Sequence, residues 1–494
     1  AFINLLNYLD RNVIFALFEP IKQDLGLSDA QLGWLGSAYI IVFSLAALPA
    51  GVLSDIRSRR AVIAGGIAVW SAFTFFSGLA RNFWQLFAFR SAVGVGEAAY
   101  GPASLSLVAD WFPTDRRAFA MGILSSGVAL GGVLGIWLGG SLEQHYGWRV
   151  AFMVVAFPGF ICAVLAARLI DPARPPSSIS VRKYLRRVEM GVLTIGRQFL
   201  PLLLSGVIAG FTGWYLARRL GAGSQVDVAV AGMIIALGLV ANILLWIRNL
   251  RRDSADLGRF GTGVSGAFDE MLLAVKVVLR TPTLGYLFVG GAMISFGMNG
   301  LVGWGPTFLS RELGLSAGES ARLFGSWGLL AGTAGTIVGG YIADWLRNSG
   351  WLGARGDSSR VITVAFGVVV GGALTVGLLL VRDLRIFAAM FTVAFFFLTW
   401  YNGPMSAALF DVVPPRIGAT VMGAYLLFIH LAGDAIAFPL VGALSDRFGI
   451  ERAVMVLPIV AMAGGAVVAF ASRTIGHDMA RAGSRPTGNW PVLP

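Results

Sequence analysis

Asp110-Trp-Phe-Pro-Thr-Asp-Arg-Arg-Ala-Phe-Ala-Met-Gly122 returns in the second half of the chain as Asp411-Val-Val-Pro-Pro-Arg-Ile-Gly-Ala-Thr-Val-Met-Gly423. Asp, Pro, Ala, Met and Gly hold matched places without a gap. The match resumes, one residue out of step, with Gly140-Ser-Leu-Glu-Gln-His-Tyr-Gly147 against Gly442-Ala-Leu-Ser-Asp-Arg-Phe-Gly449. Earlier in each half, Leu25-Gly-Leu-Ser28 is echoed by Leu313-Gly-Leu-Ser316. The chain therefore reads as two parallel copies of one unit.

The medium in which those copies fold follows from composition. With 56% hydrophobic and 13% charged residues and a mean hydropathy of +0.75, the chain is far from a soluble protein, of which roughly a quarter is charged. Apolar runs long enough to cross ~30 Å of hydrocarbon recur throughout. The first half carries six, at 1–20, 30–53, 60–80, 83–108, 118–142 and 148–170, making a unit over 1–170. Six more, at 284–309, 319–344, 361–381, 385–410, 417–443 and 452–472, make a unit over 284–472. Between them, 171–283 is expected to hold a polar link, a membrane hairpin (198–217 and 226–247), a Gly-rich joint at 258–266 and a short amphipathic helix at 268–279. The hairpin is read as a passive strut packed beside the bundle. The Gly-, Pro- and Arg-rich tail, 473–494, is expected to be disordered. The apolar start, Ala1-Phe-Ile, is read as a first span truncated at its inner end.

An even number of extra spans leaves both halves inserted in one orientation. Arginines 57, 59, 60, 116, 117, 182, 186, 187, 251, 252, 347, 355 and 360 fall in loops on one side, which the positive-inside rule makes cytoplasmic. Arg81, Arg218, Arg219, Arg311 and Arg447 fall on the other. The net charge of +12 thus reflects topology and anionic headgroups, not nucleic acid. Cys162, the one cysteine, excludes an internal disulfide. No metal quartet, nucleophile set or cofactor motif is present, so neither an enzyme nor a metal site is expected. Parallel repeats in a membrane protein bind cargo between the halves, which rock to expose it to either side, and the expected class is a secondary transporter.

Four constellations carry chemistry. In Asn7-Tyr-Leu-Asp10-Arg11, Asp10 lies about 15 Å below Pro20, near mid-membrane, where a carboxylate is costly unless paired or protonated. Adjacent helix positions do not face each other, so Arg11 should reach another partner or the cargo. Arg90-Ser-Ala-Val-Gly-Val-Gly-Glu97 places Arg90 and Glu97 on one helix face, with Tyr100 shortly after and the glycines serving close helix packing. We expect Arg11 to serve Asp10 and Glu97 in turn. His430-Leu-Ala-Gly-Asp434 stacks an imidazole over a carboxylate. Asp10, Glu97, His430 and Asp434 are the candidate proton-coupling groups. Arg11 and Arg90 are candidates for an anionic headgroup. Tyr100, Asn299, Trp304, Phe308, Trp400 and Tyr401 are candidate cavity residues. Asp55, Arg59 and Arg60, echoed by Asp344, form a candidate gate at the inner face.

These motifs resemble the major facilitator superfamily across nearly the whole chain. Gly51-x-Leu-x-Asp55-x-x-x-Arg59-Arg60 looks like its signature loop, with Ile56 and Ser58 in place of the usual Arg and Gly. Within it, Asn7-Tyr-x-Asp10-Arg11, Gly96-Glu97-Ala98-x-Tyr100, Val412-Val-Pro-x-x-Arg416 and His430-Leu-x-Gly-Asp434-Ala435 resemble the spinster family. The resemblance implies an all-α major facilitator fold, two six-helix bundles plus two extra transmembrane helices. It implies a monomeric, multi-pass carrier of amphiphilic lipids such as sphingosine-1-phosphate or lysophospholipids, driven by protons, in a bacterial inner membrane. A proton-linked symporter of a small organic anion is the alternative, because such carriers share Asn-Tyr-x-Asp-Arg.

Overall fold

The computed structural model describes residues 2–56, 58–111, 114–171, 277–278, 280–349, 351, 353–413 and 418–483. Residues 1–175 with 270–488 form one unit and 176–269 with 489–494 another. The expected hairpin at 198–217 and 226–247, the polar link and the Gly-rich joint lie outside the described residues. In the first half α1 (Phe2–Ala16) and α2 (Phe18–Leu25) make one span, followed by α3 (Asp29–Ile56), α4 (Arg59–Ser77), α5 (Phe83–Trp111) and α6 (Thr114–Ala166). Gly147, with φ 80°, divides α6 into the fifth and sixth spans. In the second half come α7 (Pro282–Glu312), α8 (Ala317–Asn348) and α9 (Ser359–Leu379). Next are α10 (Leu384–Leu398), α11 (Asn402–Asp411), α12 (Gly418–Ile429), α13 (Ala435–Phe448), α14 (Ile450–Phe470) and α15 (Ile475–Gly483). Eight of the described helical segments are long and apolar enough to cross a membrane.

The sequence repeats mark turns. Among the described residues the positive-φ positions are Gly26 (63°), Gly314 (67°), Gly147 (80°) and Gly449 (82°), two pairs related by the repeat. A side chain is disfavoured in that region, so glycine is needed at each. The serines that close the Leu-Gly-Leu-Ser echoes each cap a helix. Ser28 Oγ accepts from Gln31 N at 3.2 Å while Ser28 N donates to Gln31 Oε1 at 2.9 Å. Ser316 and Glu319 form the same reciprocal box at the start of α8.

Prolines explain where the expected spans differ from the observed ones. Proline cannot donate to the carbonyl four residues back and crowds it. Pro20 therefore breaks the first span at Leu17 rather than ending it, and α2 continues to a left-handed cap at Gly26. Pro404 has the same effect on the tenth span, whose helices α10 and α11 meet through a 3₁₀ turn at Thr399–Tyr401. In the eleventh span, His430–Asp434 forms a π-turn ahead of Pro439. Pro439 leaves the Ala435 carbonyl free, and that oxygen accepts Ser37 Oγ at 2.8 Å from the other half.

The halves meet along two seams at the end where the first span stops. On one, α3 crosses α13, with Gly33 against the Phe438 carbonyl and Gly442 against the Asp29 carbonyl. On the other, Gly140 of α6 lies against Ala317 and Ala321 of α8. Between the seams, Phe15 stacks on Phe438 at 5.0 Å and Phe18 packs on Trp304 at 5.3 Å. The tail departs from expectation: α15 makes 475–483 helical. Ile475 is buried, and the buried Asp478 carboxylate accepts Thr283 N at 3.1 Å at the start of α7. A single apolar anchor and one capping acid stabilise what composition alone marks as disordered.

Candidate functional site

The first-half site is built around Asp10. Helix α1 turns it inward to 2% exposure, where Arg90 Nη1 of α5 donates to Oδ1 at 3.1 Å. Arg90 Nη2 reaches the Asp10 carbonyl at 3.4 Å, and Thr74 Oγ1 of α4 donates to Oδ2. In this arrangement the partner of Asp10 is Arg90, and Arg11 stands within electrostatic reach of Glu97. Arg90 is itself buried, with its guanidinium 5.8 Å from the Phe152 ring. Its two terminal nitrogens serve Asp10, while Nε has no partner among the described residues. Two helical turns separate Arg90 from Glu97, and it is Arg90 that bonds Asp10.

Glu97, one of the most enclosed acids at 1% exposure, has no hydrogen-bond partner at either carboxylate oxygen. The Tyr39 hydroxyl stands beside it as a donor within reach. Within electrostatic reach of Glu97 are Asp10, Arg11 and Arg90. Arg11 projects from the next position of α1 into a ring of aromatics. Its guanidinium lies 4.8 Å from Tyr39, 5.4 Å from Phe43 and 5.5 Å from Tyr8, distances at which a cation is held by the ring faces. It forms no hydrogen bond with a described residue, and it feels Glu97 from its own half and Asp434 from the other.

The second-half site is the π-turn. Asp434, 1% exposed, accepts Asn299 Nδ2 at 2.9 Å and Ser295 Oγ on Oδ1, while Oδ2 lies 2.6 Å from His430 Nδ1. π-turns recur at functional sites because the extra residue shifts the side chains that follow. Tyr401 and Tyr425 stand within electrostatic reach of the same carboxylate. Asn299 thus belongs to the support of Asp434. Ser295 and Thr74 were not singled out in the sequence. Ser295, four residues before Asn299 in an apolar span, was a legible signal; a lone Thr was not.

Other expected cavity residues pack elsewhere. Trp304 is fully buried between the halves, donating Nε1 to the Phe438 carbonyl at 3.2 Å. Phe308 stacks on Phe387, Trp400 fills the notches at Gly339 and Gly367, and Tyr100 packs edge-on to Trp70. All four complete the helix packing, where large rings fill space left by glycines. At the opposite end from the seams, Arg59 pairs with Asp171 at 2.9 Å, joined by Ser58 Oγ at 2.9 Å and Arg60 N at 3.5 Å. Burial alone would raise the Asp171 carboxyl, but these donors hold it below its usual value. Asp344 lies 3.6 Å from Arg360, which also pairs with Asp411, as does Arg347 at 3.3 Å. These ion pairs each join residues of one half. The Asp55 side chain and residues 414–417 lie outside the described residues.

Two six-helix halves of parallel repeat, enclosing buried acids and an arginine that senses both, define a membrane transporter. The sequence is similar to the major facilitator superfamily. The Major Facilitator Superfamily model matches residues 1–220, and that of the Organic Anion Transporter Polypeptide family matches residues 250–376. The chain is 26% identical over 450 residues to an MFS-type efflux pump of Mycolicibacterium smegmatis, covering 90% of this chain and 83% of the pump. It is 24% identical over 464 residues to Protein spinster of Drosophila melanogaster, with 90% of this chain and 61% of that protein aligned. In fold it is similar to a bacterial homolog of the human lysosomal transporter spinster, solved in an inward-facing and unoccupied conformation. That likeness has a TM-score of 0.70 at 22% identity, over 97% of this chain and 96% of the other.

Proposed function

We propose that this transporter is a proton-coupled carrier of amphiphilic lipids with an anionic headgroup, working by alternating access in a bacterial inner membrane. The observation that carries the reading is Arg11: a guanidinium seated on Tyr8, Tyr39 and Phe43, hydrogen-bonded to no described acid and sensed from both halves. Such a group can take a phosphate or carboxylate through its fork while the rings accept the adjoining apolar stem. Asp10 is occupied by Arg90 and Thr74, so the acid freer to exchange a proton is Glu97, which has only the Tyr39 hydroxyl beside it as a donor among the described residues. In the second half the His430–Asp434 pair is the complementary proton site. Binding and protonation then bias the halves toward one arrangement or the other.

The match of residues 250–376 to an organic-anion transporter family favours a second reading, a small organic anion as cargo. Purified protein in liposomes separates them. Labelled lysophospholipid should be moved, faster with a pH gradient than without, and a panel of small carboxylates should not. Gradient-driven uptake of the carboxylates alone would replace the lipid by the acid.

A further inference from the structure

At the sealed end one carboxylate gathers donors from both halves. Asp29, the first residue of α3 and only 2% exposed, is gripped by the Arg311 fork of α7, Nη1 to Oδ2 at 2.7 Å and Nη2 to Oδ1 at 2.8 Å. Ser445 Oγ of α13 donates to Oδ2 at 2.5 Å, and Lys22 Nζ of α2 donates to Oδ1 at 2.7 Å. Arg311 Nε also reaches Glu19 Oε2 at 2.8 Å. Asp446 of α13 returns the grip, its carboxylate accepting Asp29 N at 2.8 Å and Ala30 N at 2.9 Å at the positive end of α3. Across the other seam no ion pair joins the described residues, and the Glu319 carboxylate there serves the cap of its own helix. There Gln144 Nε2 of α6 donates to Ser316 Oγ at 2.5 Å, and small residues pack alongside.

We infer that Arg311 is the latch residue of this end: it holds the transporter closed along the α3–α13 seam, while the α6–α8 seam is a packing contact with no comparable charge. The inference rests on the alternating-access reading above. Its physics is a difference between two charge counts. With Arg311 in place, the anions Glu19, Asp29 and Asp446 are balanced by Arg311, Lys22 and the helix end. Without it, two carboxylates of the first half face one of the second with Lys22 as the remaining cation of the network. An almost fully buried carboxylate that loses its bidentate partner is strongly disfavoured. Separation of the halves admits water to Asp29 and relieves it. Lysine at 311 can satisfy one carboxylate but cannot reproduce the fork, so it should hold the end partly.

The test is a distance across the sealed end. In a Cys162→Ser background, spin labels are placed at exposed Gln23 and Arg447, one on each half, and their separation is measured by pulsed electron resonance in lipid nanodiscs. The unaltered network should give mainly the short distance. Arg311→Gln should raise the ratio of long to short populations about tenfold, the change that 1.4 kcal/mol produces. Arg311→Lys should fall between, and Gln144→Ala should leave the ratio within about a factor of two. A distribution unchanged by Arg311→Gln removes the latch, as does a Gln144→Ala variant that opens equally. Should Arg311→Gln not yield folded protein, an unchanged distribution in Arg311→Lys is the overturning result. Uptake measured on the same proteins keeps the two readings apart. Widened distances with no uptake of any cargo by the parent would count against the carrier and not the latch; normal uptake with unmoved distances would count against the latch alone.

Discussion

Asp10 and Glu97 face each other's charge, yet their surroundings give them different work. Asp10 receives three donor contacts through Arg90 and Thr74 on its side chain and carbonyl, whereas Glu97 has only the Tyr39 hydroxyl beside it among the described residues. Asp10→Asn should therefore loosen Arg90 and abolish gradient-driven uptake while the protein remains folded, as uptake and thermal unfolding together would show. Normal gradient-driven uptake by Asp10→Asn would make Asp10 structural. Because the acids share one electrostatic site, Asp10→Asn combined with Glu97→Gln should lose little more than the worse single variant. Losses that multiply would mean independent roles. Arg11→Lys should cut uptake at least tenfold at unchanged stability, since an ammonium offers no planar fork to an anion; parent-level rates in that variant would argue that Arg11 does not meet cargo. Away from the spans, Asp171 is held low by Ser58 and Arg59. Its contribution is present above the usual carboxylate range and is lost as pH falls through its depressed value. Asp171→Ala should cost about 1–3 kcal/mol at neutral pH, and the gap in melting temperature from the parent should close in acid.

At the scale of elements, the prolines and glycines decide what the hydropathy leaves open. The π-turn packs through Gly433, where a Cβ would lie 2.5 Å from the Ala292 carbonyl oxygen. Gly433→Ala should lower stability by about 1–3 kcal/mol through overpacking and should disturb the His430–Asp434 contact more than a change at exposed Gly423, which has open space around it. Calorimetry on both variants would check this, and equal melting temperatures would sink it. The twelve spans were legible because apolar length is set by the bilayer and turns by glycine stereochemistry. The i,i+4 spacing was enough to pair His430 with Asp434. What could not be read was partner choice between helices. Arg90 rather than Arg11 meets Asp10 because of how α1 and α5 are rotated, which no spacing within one helix reports. For the same reason Trp304, Trp400 and Tyr100 looked like cavity walls while they fill grooves. The helix Ile475–Gly483 escaped notice because its docking depends on Thr283, far away in sequence.

Across the whole molecule, closure of one end relies on glycines as well as charges. A Cβ at Gly33 would strike the Phe438 carbonyl and one at Gly442 the Asp29 carbonyl, both across the α3–α13 seam. Gly33→Ala should therefore penalise the closed arrangement and lengthen the separation of labels at 23 and 447. Gly65→Ala, with nothing within 4 Å, should not. Lengthening in both, or in neither, would show that this contact does not bear on closure. The four glycines whose φ excludes side chains fall in repeat-related pairs, Gly26 with Gly314 and Gly147 with Gly449. Their neighbours have diverged: the first half keeps Asp10 with Arg90, the second Asp434 with His430, and Asp29 and Arg311 have no counterparts of like kind facing back. The halves thus share their joints and differ in their charges. A chain made of two first halves would retain the paired glycine turns, yet would bring Asp29 to both sides of its mouth without an Arg311 for either. Such a chain could not latch as proposed for this molecule, so the proposed latch depends on the inequality of the halves.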